Sequence, residues 1–121
     1  MSSNNYFNKK IAYGRDFLNL PFHISTSSNI AYKVEVYSYN QELVKQEKCT
    51  DYNIEFSISD CNKKIELDFE IDTEDETRNS INKLNTIIKN CEQMKSAILT
   101  ASKLIQEGKE YLKTLPQEKK E

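Results

Sequence analysis

Residues 52–76 read YNIEFSISDCNKKIELDFEIDTEDE, and the period of their apolar side chains changes once along the way. Tyr52, Ile54, Phe56 and Ile58 alternate with Asn53, Glu55 and Ser57, and Ile65, Leu67, Phe69 and Ile71 alternate with Glu66, Asp68 and Glu70. Successive side chains of a strand point to opposite faces, so each run puts an apolar row on one face and a polar row on the other. Joined by SDCNKK, the two runs predict an antiparallel hairpin with one buried and one solvated face. Beyond Ile71 the period lengthens to that of a helix. Thr73 followed by Glu76 is a capping-box spacing, and Asp72, Glu74 and Asp75 place negative charge where a helix N-terminus favours it.

Toward the C-terminus no proline intervenes before Pro116. Leu84, Ile87, Cys91, Met94, Ile98, Ala101, Ile105, Gly108, Leu112 and Leu115 recur at spacings of three and four, a heptad seam that Ile81, Ile88, Leu104 and Tyr111 widen. A helix over 73–114 would be about 60 Å long, whereas a strand of about seven residues reaches only about 23 Å. A sheet of that size covers less than half of the seam. Either the helix breaks, near Gly108 or in 100–102, or its distal half meets another chain. The second outcome is favoured, because Ala101 and Gly108 let a second helix approach closely and twofold self-association is the commonest arrangement. Cys91, Met94, Ile98, Ala101, Ile105, Gly108 and Leu112 are thus the expected interface of a homodimer or higher oligomer. The terminal PQEKKE, 116–121, reads as a mobile tail.

Toward the N-terminus, Ile30, Tyr32, Val34 and Val36 alternate around Lys33 and Glu35 and predict another strand. Tyr37 and Tyr39 fall on the opposite phase, which suggests a bulge or a wet aromatic end there. A further short strand is expected around Leu43 to Gln46. Residues 11–24, IAYGRDFLNLPFHI, are apolar but aperiodic and read as a short strand or extended segment along one side of the sheet. Residues 25–29 read as a loop and 1–10 as a frayed terminus in which Tyr6 and Phe7 could dock. With only two glycines and two prolines, the turns fall to Asn, Asp and Ser. The expectation is one α+β domain over 1–121: an antiparallel sheet of about four to five strands within 11–71, then one long C-terminal amphipathic helix.

Composition narrows the function classes. No stretch approaches the roughly 18 to 20 apolar residues of a membrane span, and Met1 to Lys10 lacks the apolar run of a secretory signal, so a cytoplasmic protein is expected. Cys49, Cys61 and Cys91 are odd in number and lack Cys-x-x-Cys spacing, so they read as reduced thiols rather than a disulfide framework or zinc site. The single histidine, His23, has no nucleophile marked beside it, and Gly14-Arg15-Asp16 lacks the second glycine and Lys-Ser/Thr pair of a phosphate loop. No catalytic, cofactor-binding or metal-ligating residues are assigned, and an enzyme is not expected.

Acidic residues fill seven of the eleven positions from Glu66 to Glu76, without calcium-loop spacing. Glu66, Asp68 and Glu70 are predicted on one face of one strand, offered together with Tyr37 and Tyr39 to a larger protein or nucleoprotein partner. A net charge of −2 and only two arginines, Arg15 and Arg78, weigh against generic nucleic-acid binding. The leading expectation is a non-enzymatic, oligomeric interaction protein that binds and inhibits a larger macromolecule, as compact acidic chains of viruses and mobile elements do. The alternatives are a chaperone-like peptide-binding module and a single-stranded nucleic-acid binder that stacks bases on Tyr13, Tyr37, Tyr39 and Tyr52 beside Lys33 and Lys45.

Overall fold

The computed structural model describes residues 5–20 and 28–116. Elements run β1 (Phe7–Phe17), β2 (Asn29–Ser38), α1 (Gln41–Lys45), β3 (Asp51–Asp60), β4 (Lys63–Glu66) and α2 (Glu74–Thr114). The four strands form one sheet in the order β1-β2-β3-β4, with every neighbouring pair antiparallel. This is the α+β arrangement that the change of period predicts, with four strands and one long C-terminal helix. The chain divides into two compact units, Met1–Thr77 and Arg78–Glu121.

Cross-strand partners share a face of the sheet. On one face Val34 lies between Ala12 and Ile54, Tyr32 between Gly14 and Phe56, and Ile30 pairs with Ile58, itself opposite Ile65. On the other, Lys33 lies between Tyr13 and Glu55, Glu35 between Lys10 and Asn53, and Ala31 between Arg15 and Ser57. The predicted division into an apolar and a polar face therefore runs across three strands. Gly14 is tied to its partner sterically: a Cβ there would sit 2.6 Å from Cε1 of Tyr32, so the tyrosine ring covers β1 where it carries no side chain.

The structure departs from the sequence reading at several points. The N-terminal strand begins at Phe7, so residues 7–10 are ladder-bonded to β2 rather than frayed. Its pairing slips between Lys10 and Ala12, which leaves Ile11 as an extra residue. The bulge lies there and not at Tyr37, which stays in register opposite Asp51. Where a strand was expected around Leu43 to Gln46 the chain forms α1, because the Asn40 side chain accepts from the backbone N–H groups of Glu42 and Leu43 at 3.0 and 3.2 Å and starts a turn of helix. Residues 21–27, including His23 and most of the expected 25–29 loop, lie outside the described residues, as do 117–121 of the tail.

The second strand of the predicted hairpin is cut short. After Glu66 the Leu67 N–H still donates to the Phe56 carbonyl at 3.1 Å, but the chain then leaves the ladder. Phe69 packs edge-on against Phe56, with ring centroids 6.0 Å apart, and Tyr52 Oη accepts from the Ile71 N–H at 3.2 Å and donates to Asp72 at 3.0 Å. Residues 67–72 thus come back against the apolar side of β3. Among the described residues Phe69 is the one buried apolar side chain, at 7% exposure.

Tight turns also use unexpected residues. Glu47 and Cys61 have φ of 54° and 55°, so among the described residues the left-handed positions are filled by neither Gly, Asn, Asp nor Ser. Glu47 closes α1: its N–H donates to the Val44 carbonyl while the Lys48 N–H reaches Leu43, each within 3.1 Å, which is a Schellman closure. Cys61 is the first residue of the two-residue loop joining Asp60 to Lys63, the place where a hairpin turn needs positive φ.

At the start of α2 the predicted capping box is formed. Thr73 Oγ1 accepts from the Glu76 N–H at 3.1 Å, and Glu76 Oε1 accepts from the Thr73 N–H at 3.0 Å. The helix runs for 41 residues with no break near Gly108 or at 100–102, a length of about 60 Å. Among the described residues, no helix is long and apolar enough to cross a membrane.

Candidate interaction surfaces

In the helical unit the expected seam is a physical stripe, because residues seven apart on an α-helix drift by only about 20°. Ser80 is buried and Lys83, Leu84 and Ile87 are half-buried, but every residue over 88–116 is exposed. Cys91, Met94, Ile98, Ala101, Ile105, Gly108 and Leu112 all lie in this exposed part. Met94 is 64% exposed, Ile98 56%, Ile105 57% and Leu112 66%. A Cβ built at Gly108 would meet nothing within 4 Å. Leu104 and Tyr111, also exposed, widen the stripe on one side. The ion pairs Lys95–Glu92 at 3.6 Å and Lys113–Glu110 at 3.2 Å lie outside the seam.

In the sheet unit the polar face is organised by Glu35. Its carboxylate accepts from Asn8 Nδ2 at 3.0 Å and from Asn53 Nδ2 at 3.5 Å, and it pairs with Lys33 Nζ at 3.4 Å. Asn8, on β1, holds the Glu35 carboxyl below the usual glutamate range. Burial opposes that shift, and Asn53 and Lys33 reinforce it. Lys33 also pairs with Glu55 at 3.6 Å, and its ammonium is held above the usual lysine range by Glu35 first and Glu55 second. Three strands are therefore stitched together by one partly buried network.

Beside it lies a cleft of about 580 Å³, lined by Lys10, Tyr13, Arg15, Lys33, Glu55 and Lys64 among others. Lys10 and Tyr13 are three residues apart and would face opposite ways in a regular strand. The Ile11 bulge resets the alternation and brings both to the polar face. Lys10 Nζ lies 5.8 Å from the centroid of the Tyr13 ring, and Tyr13 as a residue is 73% exposed. Lys64 pairs with Glu66 at 3.0 Å. Sequence reasoning named Tyr13 and Lys33 for a stacking platform but missed Lys10, Arg15 and Lys64 beside them, because their assembly depends on strand pairing and a slip in register that composition does not announce.

The expected partner surface does not assemble as one strand face. Glu66 ends β4 on the polar side opposite Ser57, whereas Asp68 and Glu70 follow it in the non-strand segment beside Phe69. Glu70 instead shares a hydrogen bond with the Glu76 carboxyl. That contact, the repulsion between the two groups, partial burial, and the nearness of Asp72 and Asp68 raise its pKa above the ordinary glutamate range. Tyr37 and Tyr39 do meet: they form a cluster with Tyr6, with the Tyr6 and Tyr39 centroids 4.8 Å apart and the Tyr37 and Tyr39 rings edge-on at 5.7 Å. Tyr52 is separated from them on the apolar face, hydrogen-bonded to Asp72. Tyr6, taken in sequence as a docking residue of a loose terminus, anchors the cluster. The thiols of Cys61 and Cys91 are exposed and that of Cys49 is half-buried.

Comparison of the chain with protein-family models, with curated proteins and with solved structures gives no significant match.

Proposed function

We propose that the protein is a non-enzymatic interaction protein that self-associates through α2, with the seam from Cys91 to Leu112 docking on the same seam of a second copy and the sheet left to engage a larger macromolecular partner. One observation carries the reading: about 40 Å of helix, residues 88–114, exposes apolar side chains in heptad register. Soluble monomers rarely leave a contiguous apolar stripe of that length uncovered. A second copy suits it because the pattern is self-complementary: the large residues Ile98, Ile105 and Leu112 alternate with the small residues Ala101 and Gly108. Large side chains of one helix can then sit over small ones of the other. Most positions on the side of the helix opposite the seam, among them Glu92, Lys103 and Glu107, are polar or charged, which confines the contact to the stripe and its Leu104 and Tyr111 margin.

The test is sedimentation of the full chain over a wide concentration range, beside the double variant Ile98→Asp/Ile105→Asp. The wild type should sediment as a dimer or higher oligomer and the variant as a folded monomer. A wild type that stays monomeric throughout removes the basis for the proposal.

A further inference from the structure

We infer that the cleft on the polar face of the sheet is a binding site for single-stranded nucleic acid, with a base stacked on Tyr13 and phosphates held by Lys10 and Arg15. The inference stands on the sheet unit alone and does not require association through α2.

Three observations converge on it. The cleft is locally basic although the chain is net acidic: the cations lining it are Lys10, Arg15, Lys33 and Lys64, against the single carboxylate of Glu55. Its cations are not equivalent. Lys33 is engaged by Glu35 and Glu55, and Lys64 by Glu66, whereas Arg15 has no ion pair among the described residues and Lys10 is placed over an aromatic ring. Lys10 and Arg15 are therefore the two that can accept a new anion without breaking an existing pair. The Tyr13 ring, meanwhile, is largely exposed between them on the same face.

An acidic peptide would satisfy the cations but leave the tyrosine face uncovered, since carboxylate side chains have nothing to stack. A nucleotide supplies both chemistries, and exposed sheet aromatics flanked by cations are how sequence-tolerant single-strand binders hold bases. A duplex buries its base faces and so gains nothing from Tyr13. The Ile11 bulge acts here as a positioning device, because without it Lys10 and Tyr13 would lie on opposite faces.

Few phosphates are held, so the affinity is modest and its salt dependence shallow. Two contacts correspond to a slope of log K on log salt of about −1.4 for single strands. The experiment is fluorescence anisotropy of a labelled oligothymidylate of about fifteen nucleotides, within the size range single-strand sites occupy, titrated with the full chain at several salt concentrations. Expected results are salt-sensitive binding to the single strand, a loss of about tenfold or more for Tyr13→Ala with Tyr13→Phe near wild type, and a slope shallower by about 0.7 for Arg15→Ala. Circular dichroism confirms that each variant folds, and Tyr111→Ala on α2 should bind like wild type. The Ile98→Asp/Ile105→Asp variant should still bind, which separates this site from the seam. Equal binding by wild type and Tyr13→Ala, equal or tighter binding of a duplex or of polyglutamate, or no binding at all would overturn it.

Discussion

Truncating Ile98 stepwise measures the seam directly. The residue is 56% exposed, so somewhat over half of its side-chain area is still available to be covered. Full burial of an isoleucine contributes about 1.5 to 3 kcal/mol, so covering the remainder is worth about 1 to 1.5 kcal/mol per copy. A symmetric dimer loses that amount twice, about 2 to 3 kcal/mol for Ile98→Ala, which corresponds to roughly 30- to 140-fold in the dissociation constant. Ile98→Val removes one methylene per copy and should cost about tenfold or less. Ile98→Asp places two carboxylates in the contact and should abolish it within the accessible range. Lys103→Ala, outside the seam, should leave the constant unchanged. Sedimentation equilibrium gives the constants, and thermal melts at several protein concentrations give an independent check, since a fold stabilised by association melts higher at higher concentration. The reasoning fails if Ile98→Ala and Lys103→Ala shift the constant equally, or if the melting temperature is independent of concentration for every variant.

Further expectations concern the sheet unit. Glu47→Gly and Cys61→Gly each relieve a left-handed residue, and each should raise stability by about 0.5 to 1 kcal/mol in urea unfolding, the relief exceeding the added flexibility of the unfolded chain. Because the folded pKa of Glu70 is raised, the folded state holds more protons than the unfolded chain between the two pKa values, so this group's contribution falls as pH rises through that window. Glu70→Gln should remove that fall and stabilise the protein at neutral pH. The lowered pKa of Glu35 acts with the opposite sign: its contribution is present above the unfolded pKa and is lost as pH falls through the folded one. Stability measured from pH 3 to 7, about the range carboxylates titrate, should therefore fall less steeply toward acid in Glu35→Gln than in the wild type, a change that Glu70→Gln should not share. Gly14→Val forces Tyr32 off β1 and should cost about 1 to 3 kcal/mol by overpacking, read by urea unfolding. Thr73→Ala should cost about 1 kcal/mol and speed amide exchange at Glu76, whose N–H loses its acceptor.

What could be read from sequence was local and periodic. Strands β2 and β3 and the start of α2 follow from alternation and from Thr73 and Glu76, which act on backbone groups a turn away. The helix α1 spans five residues, too few for a period to show, although Asn40 followed by Glu42 and closed by Lys45 carries a cap and charge pattern. The strand β1 was obscured because one extra residue inverts its alternation halfway along, so Phe7 and Lys9 share a face with Ala12 and Gly14. β4 was overextended because Phe69 obeys the strand pattern yet is drawn to Phe56. The seam was visible because a heptad is written along a single helix. The cleft was not, because Lys10, Arg15, Lys33 and Lys64 come from three strands brought together by pairing.

The same surplus residue has a consequence at the sheet's rim. Among the described residues the outer edge of β1 is eleven residues of backbone with no neighbour in the strand order, a template on which a stray extended chain could zip. An incoming strand that starts pairing near Phe17 meets an irregular step at Ile11 and loses registry with the donors and acceptors beyond it. Lys9 and Lys10 at that step add charge that such a visitor would have to desolvate. Pairing that spreads along the rim should therefore stall at about its midpoint.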